Sequence, residues 1–356
     1  MQIGIAGLPG SGKTTLFNAL AHQHAHVGGY AGAEPNLAVV KVPDERLDKL
    51  SALFQPLKHT PAEVRFVDVA GVAKGMGQES SAAVLAHLRT VDVLLQVIGA
   101  FGSGRDAAAD FEDFSLELQL ADLSQIEKRV DRLEKELRLG SKGTPAERAA
   151  KERELTVLQR LRPVLEAGQP ARTVTLDPEE TKSVASFGFL TLKPTLVVLN
   201  LADDQDGAAA LAAMQQLTAE VPLTSALALP GKLEMELGEL DPSEREEFMQ
   251  ALGIEGSELG GVTTEAYRLA DLISFFTAGD DECRAWTIRS GTNAQDAAGE
   301  IHSDLARGFI RAEVIRWDKL LEAGSEAAAK KHGWVRQEGK SYTVADGDVL
   351  HVLFNV

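Results

Sequence analysis

Four residues near the amino end have the types and spacing that hold a polyphosphate. Gly7, Gly12, Lys13 and Thr14 fit the pattern G-x-x-x-x-G-K-[ST] within the stretch GLPGSGKTTL. Glycines let backbone N–H groups converge on an anion, a lysine ammonium reaches the β- and γ-phosphates, and the following hydroxyl binds Mg²⁺. The pattern therefore predicts a phosphate-binding loop in which Lys13 also stabilises transition-state charge.

The sequence around this loop favours the same interpretation. Residues 1–6 alternate as a short strand, and residues 15–21 carry apolar side chains at helical spacing. The loop would then open a helix, whose amino end attracts anions. A glycine-rich turn that binds nothing is the alternative. The residues that we expect to contact the nucleotide here are Gly7, Pro9, Gly10, Ser11, Gly12, Lys13, Thr14 and Thr15.

A second motif supplies a carboxylate. Residues 63–69 have strand character, and the strand ends in the tetrapeptide Asp68-Val-Ala-Gly71. A D-x-x-G at the end of a strand downstream of a phosphate loop is where Mg²⁺-dependent nucleotidases place a carboxylate near the metal. We therefore predict that Thr14 and Asp68 ligate Mg²⁺ and that Gly71 contacts the nucleotide.

Composition excludes several classes of protein. The 356 residues are enough for two or three domains, and the 44% of hydrophobic residues suffice for packed cores. The single cysteine, Cys283, excludes a disulfide framework and fits a reducing cytoplasm. We expect no signal peptide and no membrane span, because no suitable apolar run occurs.

The net charge of −17 argues against loose binding to DNA or other nucleic acids. Its distribution is uneven, because residues 121–170 contain 11 Lys/Arg and 9 Asp/Glu, and residues 284–343 contain 10 and 8. If any surface contacts RNA, we expect it in one of these two segments. Ordinary mixed-charge, solvated faces are the alternative interpretation.

Hydrophobic patterns predict the elements that position these residues. The stretch VDVLLQVI at residues 91–98 is a continuous apolar run, which suits the middle of a parallel sheet. Further strands are predicted at residues 37–42 and 196–201. Beyond residue 270, the predicted strands are 284–289, 309–315 and 349–356, with a helix at 295–302. This β-rich end predicts a separate small domain, with a hairpin turn at Asp346-Gly347.

The segment between the last two central strands is typical of paired helices. Its apolar residues are spaced three and four positions apart, as in a coiled-coil seam: Leu123, Ile126, Val130, Leu133 and Leu137. A break at residues 140–145 precedes a second helical stretch at residues 155–165. The pattern predicts an antiparallel coiled-coil arm, and a plain helical layer on the sheet is the alternative.

Taken together, these residues resemble the YchF / Obg-like ATPase family of translation-factor-related P-loop NTPases over essentially the whole chain. The matching stretches are GLPGSGKTTLFNAL, EPN with VPDERLDKL, FVDVAG, LTLKPTLVVLN, FFTAGDDECRAWTIRSG, GFIRAEVI and DGDVLHVLFNV. The resemblance implies a cytoplasmic hydrolase of ATP or GTP that uses Mg²⁺ and associates with the ribosome, at its large subunit.

The same resemblance implies an α/β fold with three parts. Residues 1–120 and 190–270 would form a G-domain-like P-loop sheet with helices on both faces. Residues 121–189 would form the coiled-coil insertion, and residues 271–356 a TGS domain with the β-grasp fold.

The motifs above do not decide whether the bound nucleotide carries adenine or guanine. Guanine-specific relatives use N-K-x-D, whereas the family that this chain resembles usually has N-x-x-E, a form associated with ATP. Here the residues are Asn200, Leu201, Ala202 and Asp203, so the aspartate of guanine sites is restored but the lysine is not. A helix cap is the other role open to Asp203. We favour ATP over GTP and expect Asn200, Leu201, Asp203, Ser225 and Ala226 to contact the base.

The hydrolytic residues are less well defined. The water-orienting glutamine of Ras-like enzymes is replaced by Val72, and the family's switch I threonine aligns with Gly32. Lys74 and Gln78 are the polar candidates near the γ-phosphate. We therefore assign no catalytic base and expect slow hydrolysis. Three functions stay open: a ribosome-associated nucleotide switch, a small-molecule kinase, and a scaffold that binds nucleotide without hydrolysing it.

Overall fold

The computed structural model describes residues 1–21, 35–69, 71, 78–102, 105–138, 144–252 and 256–355. Gly32, Val72 and Lys74 lie outside these ranges, as does the side chain of Gln78. Within the ranges, the helices lack the combination of length and apolar character that crossing a bilayer requires.

The strands and helices follow one another along the chain in mixed order. The strands are β1 (Gln2–Ala6), β2 (Asn36–Lys41), β3 (Lys58–Thr60), β4 (Glu63–Asp68), β5 (Val93–Gly99), β6 (Thr195–Asn200), β7 (Thr224–Leu229), β8 (Leu272–Thr277), β9 (Glu282–Arg289), β10 (Phe309–Arg316), β11 (Arg336–Glu338) and β12 (Asp348–Phe354). The helices are α1 (Lys13–Ala21), α2 (Glu45–Phe54), α3 (Gln78–Arg89), α4 (Ala107–Arg138), α5 (Pro145–Glu166), α6 (Pro178–Val184), α7 (Ala208–Thr218), α8 (Gly231–Glu239), α9 (Pro242–Leu252), α10 (Leu259–Leu269), α11 (Ala294–Ile301), α12 (Ser303–Arg307), α13 (Trp317–Ala323) and α14 (Glu326–Lys331).

The first sheet carries the phosphate loop. Its strand order is β2-β4-β1-β5-β6-β7, and β1 runs parallel to β4 and β5, as do β5, β6 and β7 to one another. Every residue of β5 and β6 is buried, which explains their continuous apolar sequence. The predicted α/β class is confirmed, and the parallel strands bring their carboxyl ends to one edge.

Helices α4 and α5 form the predicted antiparallel pair. Ion pairs join Arg129 to Glu154 (2.6 Å) and Glu136 to Lys151 (2.9 Å), so positions later in α4 meet positions earlier in α5. Its buried apolar core consists of Ile126, Val130, Leu133, Val157, Leu158, Leu161 and Leu165. Helix α4 begins well before the predicted boundary at residue 121, because its first turns pack into the core beside the first sheet.

A buried carboxylate joins the base of this arm to its surroundings. Asp122 of α4 is fully buried and accepts hydrogen bonds from Arg89 Nη1, Thr191 N and Thr191 Oγ1, each at 2.8 Å. Arg89 is the last residue of α3. Because a buried carboxylate is stable only with such donors, these three segments are held together.

Helix α11 packs on the second sheet, whose strands also contact α2, α12 and α13. The strand order is β11-β10-β12-β8-β9-β3, with β8 and β9 antiparallel and β8 and β12 parallel. Helix α11 presents small side chains to the sheet, and the cluster contains Phe275, Ile288, Ala294, Ala297, Ala298, Phe309, Ala312, Val314 and Leu350. A helix packed on a mixed sheet is the arrangement expected of a β-grasp domain.

The division of the chain differs from the predicted domain boundaries. Residues 1–38 and 65–262 form one compact unit, and residues 39–64 and 263–356 form the other. The predicted boundaries place the segment 39–64 in the nucleotide domain, whereas β3 pairs in parallel with β9, and Arg46 bonds to Asp346 at 2.6 Å. The arm stays within the first unit.

The predicted hairpin at Asp346-Gly347 is wrong. Strand β12 pairs with β10 and β8, and the segment before the turn bridges instead between Thr343 and Asn293. The turn residues therefore lead into an interior strand whose partners lie far away in the sequence.

Candidate nucleotide-binding site

The phosphate loop turns from β1 into α1 at the carboxyl edge of the first sheet. Gly7 and Gly12 have φ angles of 145° and 89°, which glycine adopts far more readily than other residues. A Cβ atom on Gly7 would overlap the carbonyl oxygen of Val97, and one on Gly12 would overlap the side-chain amide of Asn200. Both conformation and close approach therefore require glycine at these two positions.

The Lys13 side chain is buried over this loop. It is 7% exposed, and its Nζ donates to the carbonyl oxygen of Leu8 at 2.8 Å. Burial lowers the pKa of Lys13 to about 8, the charge of Asp68 opposes this shift, and the charge of Arg105 adds to it. A Cβ atom on Gly71 would lie 2.9 Å from Nζ, so the glycine of the D-x-x-G motif lies beside the ammonium group.

The two predicted metal ligands lie together. Asp68 Oδ2 accepts hydrogen bonds from Thr14 Oγ1 at 3.2 Å and from Asn36 Nδ2 at 3.4 Å. Burial raises the pKa of the Asp68 carboxyl, and the hydrogen bonds from Asn36 and Thr14 and the charge of Lys13 act in the opposite direction.

The donor set fits Mg²⁺. The other oxygen of Asp68, Oδ1, is buried and has no hydrogen-bond partner in the described part of the chain. Mg²⁺ prefers carboxylate and hydroxyl oxygens and is usually held by one or two protein ligands together with phosphates and waters. Elsewhere among the described residues, no group of three or more His, Cys, Asp or Glu side chains could hold a metal ion. The Thr14–Asp68 pair is thus the natural place for the cation.

A cavity of about 600 Å³ opens next to the loop. This volume is within the range of sites that hold small molecules, which is roughly 300–1,000 Å³. It is lined by Gly12, Thr15, Phe101, Asn200, Leu201, Ala202, Asp203, Asp204, Lys232 and Met235. Most of the residues predicted to contact the base therefore surround one space that adjoins the phosphate loop.

Asn200 connects the loop to the neighbouring strand end. Its Nδ2 donates to the carbonyl oxygen of Ser11 at 3.1 Å, and its Oδ1 accepts from the amide of Gly231 at 3.0 Å. Asn200 is itself buried. Its amide is therefore used to fix the loop against the start of α8.

Asp203 and Leu201 have different surroundings. Asp203 lies at the rim of the cavity, where its carboxylate accepts from Lys232 Nζ at 3.2 Å; the same ammonium lies 3.4 Å from Glu236. Leu201 is buried and packs in the core cluster that contains Phe111 and Met214. Leu201 thus forms part of the wall, whereas Asp203 is engaged by a cation.

Two predicted residues are not brought to this cavity. Ser225 and Ala226 lie early in β7, paired with Leu196 and Val197, while Asn200 at the edge pairs with Leu229. Because only the carboxyl ends of the strands face the loop, Ser225 and Ala226 lie away from this cavity, and Lys232, which follows β7, lines it instead.

Sequence reasoning missed three residues here, namely Phe101, Arg105 and Lys232. Phe101 and Lys232 line the cavity, and the Arg105 guanidinium lies over the Phe101 ring, 5.5 Å from its centroid. A signal was available, because all three follow shortly after a parallel strand, and ligands of open α/β sheets bind at the carboxyl ends of strands.

Two sequence models of protein families match the chain. The model YchF-GTPase_C, described as a protein of unknown function, matches residues 272–355. The model MMR_HSR1, described as a 50S ribosome-binding GTPase, matches residues 2–135. The matches fall on the β-grasp sheet and on the part of the chain that contains the phosphate loop.

Whole-chain relatives are found among bacterial proteins. The chain is 39% identical over 372 residues to the ribosome-binding ATPase YchF of Bacillus subtilis, with 100% of both chains covered. It is 38% identical over 369 residues to the protein of the same name from Escherichia coli O157:H7, covering 100% of this chain and 99% of the other. The solved structure of the Schizosaccharomyces pombe YchF GTPase matches with a TM-score of 0.84 and 29% identity, covering 99% of this chain and 97% of the other.

The shifted pKa of Lys13 predicts a pH dependence of nucleotide binding. Phosphates favour the ammonium form, and the pKa in the free protein is about 8. We expect the Kd for ATP to be nearly constant just above neutral pH and to rise above pH 8, approaching about tenfold per pH unit. Titration calorimetry between about pH 7 and 9.5 measures this.

The matched control is Lys13→Arg, because a guanidinium stays charged throughout this range. Its Kd, even if higher, should not follow the same curve. A wild-type Kd that does not change across pH 8 would contradict the burial argument.

Proposed function

The chain belongs to the YchF family, and from this premise we propose that it binds ATP and slowly hydrolyses it to ADP and phosphate in association with ribosomes. One observation carries the proposal: Lys13, Thr14 and Asp68 meet at the carboxyl edge of a parallel sheet, beside a nucleoside-sized cavity. The bacterial relatives are named ribosome-binding ATPases, and we extend that activity to this chain. We place the protein in the cytoplasm, where ribosomes are.

In this proposal, different residues bind the phosphates and the cation. The loop amides and the Lys13 ammonium hold the β- and γ-phosphates, and Thr14 and Asp68 hold the cation. Bound Mg²⁺ would neutralise charge on the phosphate oxygens. Slow turnover is supported by Val72, because an aliphatic side chain cannot orient the attacking water.

The preference for ATP is supported by the ion pair at the cavity rim. A guanine site needs a carboxylate that accepts from the N1–H and N2–H₂ groups of the base. Here the Asp203 carboxylate is already engaged by Lys232, so guanine must compete with an ammonium. A GTP-preferring hydrolase is the alternative, since both residues lie at the solvent-exposed rim and can rearrange.

Ribosome association is supported by cations on the arm. Lys128, Lys135 and Arg138 of α4 are exposed and, within the described residues, form no ion pair. Their spacing of seven and three positions places them on one side of the helix. We call them the α4 basic surface. The other described cations of α4 and α5 are paired with carboxylates, so among these residues the α4 basic surface has charge available to RNA phosphates.

The remaining functions are distinguished by turnover. A kinase needs an acceptor hydroxyl, whereas the proposed hydrolase releases phosphate without one. A scaffold binds nucleotide and releases none. We retain the scaffold as the second candidate because Gly32 removes a metal-ligating hydroxyl that the family has.

The first test is phosphate release by the purified protein with ATP and Mg²⁺, with and without ribosomes. We expect slow release without any acceptor and faster release with ribosomes. Lys13→Ala should abolish nucleotide binding or turnover, because it removes the ammonium that holds the phosphates. Tight ATP binding with no release in either condition would favour the scaffold, and unchanged Lys13→Ala would contradict the phosphate-loop assignment.

The second test concerns the base. Lys232→Ala releases the Asp203 carboxylate for the donors of guanine, and the ion pair that is lost lies at the exposed rim. Because exposed ion pairs are weak, competition of ATP against GTP should shift toward GTP by up to about fivefold in this variant. Lys182→Ala, an exposed lysine on α6, is the matched control and should leave the ratio unchanged. An ATP-to-GTP affinity ratio that is equal in both variants would show that the Lys232–Asp203 ion pair does not determine the base preference.

The third test concerns the arm. Replacing Lys128, Lys135 and Arg138 by Ala together should weaken co-sedimentation with ribosomes and make it less sensitive to salt, because fewer phosphate contacts form. The control removes the same charge at paired arginines of α5: Arg148, Arg153 and Arg160. Equal losses in the two triple variants would mean that overall charge, and not the α4 basic surface, governs association.

A further inference from the structure

The guanidinium of Arg105 lies against the phosphate loop. A Cβ atom on Gly10, within the loop, would be 3.1 Å from Arg105 Nη2. A Cβ atom on Gly99, the last residue of β5, would overlap Arg105 Nη1. The guanidinium therefore lies between the carboxyl end of β5 and the backbone of the phosphate loop.

Among the described residues, few groups interact with the N–H donors of this guanidinium. Its anionic neighbour is Asp110, whose Oδ2 lies 3.8 Å from Nη1, beyond hydrogen-bond distance. In the described part of the chain Arg105 makes no hydrogen bond. The guanidinium carbon lies over the Phe101 ring, 5.5 Å from the centroid, which is a cation–π contact. Within the described ranges, Arg105 thus contacts an aromatic ring but has no hydrogen-bond partner for its N–H donors, and its side chain is 33% exposed.

Two cations and two carboxylates lie close to the phosphate loop. The cations, Lys13 and Arg105, are near enough for the charge of Arg105 to add to the lowering of the Lys13 pKa. Of the carboxylates, Asp68 accepts hydrogen bonds from Thr14 and Asn36, and Asp110 lies beyond hydrogen-bond distance of Arg105. Repulsion between the two cations disfavours the site when no anion is present. A polyphosphate relieves this repulsion, because its oxygens can accept from both groups.

We propose that Arg105 donates hydrogen bonds to the terminal phosphates of the bound nucleotide and stabilises the charge that develops on them during hydrolysis. This inference rests on the proposed function. In the reaction, a water oxygen forms a bond to the γ-phosphorus as the bond to the β–γ bridging oxygen breaks. That oxygen leaves with the electron pair as part of ADP, and the water protons pass to phosphate and solvent. Arg105 keeps its proton throughout and supplies positive charge from within the chain.

The structure gives a reason for the contribution to be specific to arginine. The group must keep its contact with the Phe101 ring while it donates hydrogen bonds to phosphate oxygens. A planar guanidinium does both, whereas a lysine ammonium is a point charge on a flexible stem. A lysine at this position should therefore retain part of the affinity but little of the rate.

The test compares Arg105→Ala, Arg105→Lys and Arg148→Ala. Arg148 is an exposed arginine on α5 that pairs with Glu152, so it controls for loss of one positive charge. Single-turnover hydrolysis of ATP with Mg²⁺ should slow by about 100-fold in Arg105→Ala, the effect of removing one transition-state donor. Arg105→Lys should lie between that variant and the wild type, and Arg148→Ala should match the wild type.

Two further measurements separate a phosphate contact from a structural role. The Kd for ATP should rise more than the Kd for ADP in Arg105→Ala, because ADP lacks the γ-phosphate. Millimolar guanidinium chloride should restore part of the turnover of Arg105→Ala and not accelerate the wild type. A structural residue would show neither effect.

The outcomes distinguish this inference from the proposed function. If the wild type hydrolyses ATP, Lys13→Ala does not, and Arg105→Ala equals the wild type in rate and in ATP affinity, the role of Arg105 is overturned and the hydrolase stands. If the wild type neither binds nor hydrolyses ATP, the proposed function fails and this inference fails with it. If the wild type binds without turnover, a larger loss of affinity for ATP than for ADP still supports the contact.

Discussion

The nucleotide site depends on the removal of one lysine ammonium from water. Lys13 is 7% exposed, and among the described residues its side chain donates to one carbonyl oxygen, that of Leu8. A buried charge is unfavourable unless it is paired, and the nearby Asp68 carboxylate has one buried oxygen without a hydrogen-bond partner in the described part of the chain. In the proposed function, a metal–polyphosphate complex would compensate both groups together, the phosphates at the lysine and the cation at the aspartate.

The conformation of the loop is maintained by contacts that lie far away in the sequence. The amide of Asn200 is bonded to Ser11 on one side and to Gly231 on the other, so three strand ends share one side chain. The absence of a Cβ atom on Gly12 makes room for that amide. Asp203, three residues later, lies at the exposed rim and makes none of these contacts. A substitution at position 203 is therefore expected to leave the conformation of the phosphate loop unchanged.

The sequence predicted the elements whose patterns are local, and the structure confirms the strands near β1, β4, β5 and β6 and the helix α11. It also predicted Lys13, Thr14 and Asp68 as neighbours, because strand–loop–helix motifs fix the direction of each group. The pairing between strands that are distant in the sequence was not predicted correctly. The turn at Asp346-Gly347 has the composition of a hairpin, yet composition carries no information about which strand pairs with β12. The positions of Ser225 and Ala226 illustrate a related limit, since a sequence motif does not show how far a residue lies from the carboxyl end of its strand.

The path of the chain imposes one more constraint on the site. It leaves the first unit after residue 38 and returns at residue 65, close after Asn36 and shortly before Asp68. These two residues are hydrogen-bonded to each other at the end of the site where Thr14 and Asp68 meet. The segment 39–64 between them belongs to the second unit, and its strand β3 pairs in the second sheet. Two residues that share one hydrogen bond in the site are therefore joined by a stretch of chain that folds with the other unit, and a boundary placed at residue 271 alone does not describe this path.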